Sequence, residues 1–216
     1  MIRKILCLYV VVAVLNISQA VSLTEIHPSK SIQYNMKSLS NLDKISTKVS
    51  EDCLLPPFNY LLLQPLMTTG IEKYYQRTPL IQTIYAIKNQ HDNTYYRAIL
   101  MLVDNNKARN NVPLAQRKKE VMVVELAFIT INFNALPKKI IEGVLKTTVP
   151  FGKLLSKNHL KIYTTDRSYF SVNCDQVLAS ITGCHLNLQL YGRTNTIIRA
   201  DNNKWVADVV EILPGF

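Results

Sequence analysis

The chain has 216 residues, with 25 Lys and Arg against 15 Asp and Glu, a net charge of +10 and 48% hydrophobic residues. That is enough apolar sequence for one domain with a sizeable core. The bases are scattered and lack aromatic interleaving, so the charge favours small anionic partners and no nucleic-acid motif is present.

Arg3 and Lys4 precede an uncharged, mostly apolar run from Ile5 to Leu15, and Ser18-Gln19-Ala20 is a small-x-small cleavage signal. Residues 1–20 therefore read as a secretory signal peptide. The run is too short for a bilayer span, which needs about 20 apolar residues, and no later run is longer, so no stable membrane span remains after signal removal. Residues 21–52 are a basic, Ser- and Asn-rich segment with little hydrophobic periodicity. They read as a low-order linker, or as a transit peptide exposed once the signal is removed. The implied location is either secreted or lumenal, or a plastid-like organelle reached in two steps.

Residues 53–216 form the folded domain. Asn59 to Tyr75 has helical apolar spacing, weakened by Pro65 and Gly70. Pro79 to Lys88 and Thr94 to Val103 alternate as strands around a His91-Asp92-Asn93 turn, the pattern of a hairpin. Asp104 to Lys119 is a polar, basic loop, and Glu120 to Asn132 is a long β-branched strand. Pro137 opens a helix over Lys138 to Lys146, with Ile140, Ile141, Val144 and Leu145 on one face. Pro150 to Ser156 is a turn leading into a short helix. Leu160 to Val172, His185 to Arg199 and Lys204 to Leu213 complete the strands. Strands outnumber helices without regular alternation, which predicts an α+β fold: one antiparallel sheet with helices packed on one side. There is no P-loop, GxGxxG or GxSxG motif.

Two charged residues stand on apolar stretches. Arg97 shares a strand face with Tyr95, Ile99 and Met101, so it either pairs with an internal acid such as Glu125 or presents its fork to a bound carboxylate. Glu211 shares a face with Val209 and Leu213, where desolvation would raise its pKa and suit it to act as a general acid. The four His residues are dispersed and there is no CxxC, so no metal is expected. Cys174 and Cys184, ten residues apart around a turn at Thr182-Gly183, suit a disulfide in an oxidising lumen and equally suit two buried thiols.

Several segments, in order, resemble the chorismate pyruvate-lyase family and its relatives of unknown function in plastid and bacterial genomes, from about Pro56 to Leu213. They are Leu61-Leu62-Leu63 with Met67-Thr68, Tyr96-Arg97-Ala98-Ile99-Leu100, Ala135-Leu136-Pro137, Pro150-Phe151-Gly152-Lys153-Leu154-Leu155, Gly192-Arg193, and Glu211-Ile212-Leu213-Pro214. Phe151 stands where that family has Leu. The resemblance implies a chorismate lyase-like fold and a carbon–oxygen lyase that eliminates pyruvate from chorismate to give 4-hydroxybenzoate, as in ubiquinone biosynthesis. Arg97 would hold a substrate carboxylate, Glu211 would be the acid, and Met67 and Phe151 would wall the substrate site. No cofactor is implied, and a monomer is expected. The alternative is a catalytically inactive, secreted or lumenal protein that binds an aromatic carboxylate on the same fold.

Overall fold

The computed structural model describes residues 45–215. The expected signal peptide at 1–20, and residues 21–44 of the segment after it, lie outside the described residues. Seven strands form one antiparallel sheet: β1 (Ser46–Val49), β2 (Leu80–Asn89), β3 (Thr94–Asp104), β4 (Val121–Asn132), β5 (Ile162–Asn173), β6 (Gln189–Arg199) and β7 (Trp205–Leu213). Their order across the sheet is β1-β5-β6-β7-β4-β3-β2, and every neighbouring pair is antiparallel.

Among the described residues the α-helices are α1 (Phe58–Leu61), α2 (Met67–Tyr75), α3 (Val112–Lys118), α4 (Lys138–Lys146), α5 (Phe151–Lys157) and α6 (Gln176–Thr182). Side chains alternate across a strand, and the core divides accordingly. Ile99, Met101 and Val103 of β3 join a cluster with Leu61 of α1, Ile71 of α2, Ile140 of α4 and Leu155 of α5. This is the expected layer of helices against one face of an antiparallel sheet. Leu100 and Leu102, one residue out of step, join a second, smaller cluster with Val112 of α3, Leu178 of α6, Cys174 and Cys184.

β2 to β7 fall where the alternation of the sequence puts them, within a few residues. The helix expected over 59–75 is two helices. A proline in a helix interior removes an i→i−4 bond and clashes with the preceding turn, so the chain breaks around Pro65 and restarts at Met67. The loop expected over 104–119 is ordered by a buried carboxylate. Asp104 accepts from Arg109 at 2.6 and 2.9 Å and from the amides of Asn106 at 3.0 Å and Asn111 at 2.9 Å. Arg109 holds that carboxyl well below the usual carboxylate range. Asn111 then caps α3 by accepting from the Leu114 amide at 3.0 Å. On α4, Ile140 and Val144 are buried while Leu145 is exposed, so the apolar face is narrower than expected. The segment expected as a linker to residue 52 contributes edge strand β1, whose Val49 pairs with Tyr169 of β5.

Candidate functional site

The register of four central strands brings distant residues into one patch on the helix-covered face. Arg97 of β3 lies opposite Ile129 of β4, which lies opposite Val209 of β7, which lies opposite Asn195 of β6. In the next row on the same face, Ile99 pairs with Ala127, Ala127 with Glu211, and Glu211 with Arg193. One step further, Met101 faces Glu125. Glu211 therefore points to the interior with Val209 and Leu213, as the alternation of its strand implies.

Over this patch the chain builds a roof. Arg193 donates to the carbonyls of Leu62, at 2.7 Å, and of Gln64, which pins the turn after α1 to the sheet. The next residues, Pro65 to Thr68, then lie over the strands as the start of α2. The first residues of α5 lie beside them. A Cβ on Gly152 would come within 3.0 Å of the Thr68 hydroxyl, so the absence of a side chain lets the two helix starts meet. Lys153 and Glu72 tie α5 to α2 with a 2.8 Å ion pair. Sheet and roof enclose a cavity of about 40 Å³, roughly three times the least that a single water needs. Met67, Arg97, Phe151 and Glu211, the four residues singled out from the sequence, all line it.

The polar groups of this cavity differ in how they are satisfied. Arg193 is 1% exposed, and its Nε donates to Glu211. Glu211 also receives a longer bond, 3.5 Å, from the Asn195 amide. Both contacts donate to Glu211, which therefore sits as a hydrogen-bond acceptor. Arg97 is also 1% exposed but has no acid. Its Nη1 reaches only the Val144 carbonyl at 3.5 Å, near the outer limit for a bond, and its Nε and Nη2 have no partner. The alternative that Glu125 pairs with Arg97 is thus not what the structure shows. Burial pulls the Arg97 guanidinium down to about 10, partly offset by Tyr95. Glu125 is buried, its Oε2 has no partner, and its carboxyl lies within hydrogen-bonding reach of that of Glu211. Desolvation first, and then the neighbouring Glu211, push the Glu125 carboxyl well above the ordinary value, against a smaller opposing pull from Arg193.

Sequence reasoning did not place Arg193 or Asn195 in the site, and it read Glu125 as an internal acid to pair with Arg97. The available signal was a period of two: Arg193 and Asn195 share a strand face with Ile197, and polar residues on an otherwise core-facing row mark a site or an internal pair. Arg193 and Glu211 pair with each other, so Arg97 is the charged group of this cavity that is left to meet an anion.

No protein-family model matches the chain, and no curated protein matches it. Three solved structures illustrate the similarities in backbone. A possible transcriptional regulator YydK from Bacillus subtilis is 10% identical, with a TM-score of 0.42 over 62% of this chain; this chain spans 57% of the length of that structure. A GntR-family transcriptional regulator from Enterococcus faecalis is 9% identical, with a TM-score of 0.41 over 62% of this chain and 93% of its own. The ligand-binding domain of a protein assigned to the GntR regulators, from Bordetella bronchiseptica, is 8% identical, with a TM-score of 0.41 over 62% of this chain and 84% of its own. Similarity of this grade carries no argument about function. The resemblance to chorismate pyruvate-lyases is corrected here: no family model matches the chain.

Proposed function

We propose that this domain binds a small anion, of the carboxylate class, in the cavity between the sheet and the starts of α2 and α5, and that it does so without turning it over. The observation that carries this reading is Arg97: a guanidinium 1% exposed, lining the cavity, with Nε and Nη2 unpartnered. An uncompensated buried charge is costly, and a guanidinium fork matches a carboxylate in a bidentate contact. The net charge of +10 raises the local concentration of anions around the whole molecule. Apolar residues such as Met67, Ile99, Ile129 and Phe151 supply the remaining walls.

The test is calorimetry and thermal melting of the full chain with 4-hydroxybenzoate, benzoate and inorganic phosphate. One of the carboxylates is expected to bind and raise the melting temperature. Arg97→Met should abolish that binding while stabilising the unliganded protein by about 1–3 kcal/mol, since it removes an unsatisfied buried charge. Carboxylate binding undiminished in Arg97→Met would remove the basis of the reading. Release of pyruvate from chorismate by the wild type would replace binding with catalysis.

A further inference from the structure

The free edge of Arg97 and the size of its cavity together set what can lie there. Nη1 of Arg97 reaches toward the Val144 carbonyl, while Nε and Nη2 are buried without a partner. Those two nitrogens form one side of the planar guanidinium. Their N–H bonds run parallel and match the two oxygens of one carboxylate. The cavity measures about 40 Å³, room for about three or four non-hydrogen atoms if each takes the least space that a water needs. We infer that the ligand of the Arg97 site is a short-chain aliphatic monocarboxylate, of the size of formate or acetate, and that Phe151 sets the size limit. The inference rests on the anion-binding reading and deepens it by naming the ligand class.

The surroundings of Arg97 fit a hydrocarbon tail. Ile99 is its neighbour on the same strand face, Ile129 is its partner on β4, and Val209 lies beyond Ile129 on β7. All three line the cavity. A methyl group meets such side chains at no polar cost, whereas the further oxygens of a phosphate would be buried against them without donors. The second guanidinium of the cavity, Arg193, is satisfied by Glu211 and by the Leu62 and Gln64 carbonyls. Glu125 stands beside Glu211, and burial favours its neutral form. Arg97 therefore lacks a single negative charge, which one carboxylate supplies.

The roof fixes the volume. Arg193 pins the turn after α1, the starts of α2 and α5 meet at Thr68 and Gly152, and Lys153 ties α5 to Glu72 of α2. Phe151, the first residue of α5, is buried in the main core cluster and lines the cavity. Its ring fills the space that a longer acid would need. A bulkier acid reaches Arg97 only by displacing this roof, and overfilling a close-packed interior is unfavourable. Benzoate should therefore bind about tenfold or more weakly than acetate.

The test is melting and calorimetry of the full chain with sodium formate, acetate, butyrate and benzoate, at one ionic strength held with sodium chloride. Formate and acetate are expected to bind more tightly than butyrate, and butyrate more tightly than benzoate. Arg97→Met should abolish the acetate response. Phe151→Leu, a conservative change that removes part of the ring volume, should raise the affinity for butyrate relative to acetate. Butyrate or benzoate bound by the wild type as tightly as acetate, with each response lost in Arg97→Met, would overturn the size limit and leave the Arg97 site standing. Folded Phe151→Leu with the wild-type ranking would overturn the role of Phe151. An acetate response that survives Arg97→Met, or no response to any of the four acids beyond that to chloride, would overturn both the inference and the reading beneath it.

Discussion

Arg193 holds its guanidinium against Glu211 and two main-chain carbonyls, those of Leu62 and Gln64. It therefore has two tasks: it satisfies a buried acid, and it anchors the turn that carries the roof of the cavity. Replacing it with Met takes from buried Glu211 its charged partner and leaves it the distant Asn195 amide and the neighbouring Glu125 carboxyl. Breaking one side of such a pair costs about 3–5 kcal/mol, so urea denaturation of Arg193→Met should show a loss of that size. Arg97→Met should move the denaturation midpoint the other way. Opposite signs for two Arg→Met changes of equal burial are the signature of one arginine that is structural and one kept for a ligand. The sequence placed Arg97 and Glu211 in this chemistry because a charge on an alternating apolar strand is visible at once. It could not pair Arg193 with Glu211, because the two are 18 residues apart and meet only through strand register.

Among the elements, the two helices of the smaller cluster were the hardest to foresee. α3 and α6 have seven residues each, too short for a helical period to stand out, and their starts are set by caps. Asp175 begins α6 by accepting from the Leu178 amide at 2.8 Å, and Gly183 ends it in the left-handed conformation. Asp175→Ala removes the cap and should lower stability by about 1 kcal/mol, read as a shift in the denaturation midpoint without a change in slope. Of this segment the sequence marked only the Thr182-Gly183 turn, because the helix is held by Leu178 packing into the cluster that contains Leu126 and Ile212, which is not a local property. The strands were legible because alternation over nine to twelve residues is a strong signal. Gly192 on β6 shows a demand that only packing reveals: a Cβ there would strike the ring of Phe170 on β5 and the Glu211 carbonyl on β7.

At the scale of the molecule, the Cys174–Cys184 disulfide closes a ten-residue loop that contains α6 and secures the second face of the sheet. Sequence spacing left that pair open between a disulfide and two buried thiols, and the structure forms the bond, with Cα atoms 6.2 Å apart. Loop-closure entropy for a loop of this length predicts a contribution of about 2–3 kcal/mol. Replacing both cysteines with Ser should lower the denaturation midpoint accordingly, and a reducing agent should reproduce the loss in the wild type. The sequence by itself determined the elements: where polar and apolar residues alternate, where prolines and glycines interrupt, and which charges stand among aliphatic neighbours. Those are properties of neighbouring residues, governed by strand and helix periods. Only the tertiary structure decided that β3, β4, β6 and β7 lie side by side in one register. That register joins Arg193 to Glu211, sets Glu125 beside them and leaves Arg97 alone, because pairing between strands far apart in the chain is fixed by the packing of the whole core and not by any local pattern.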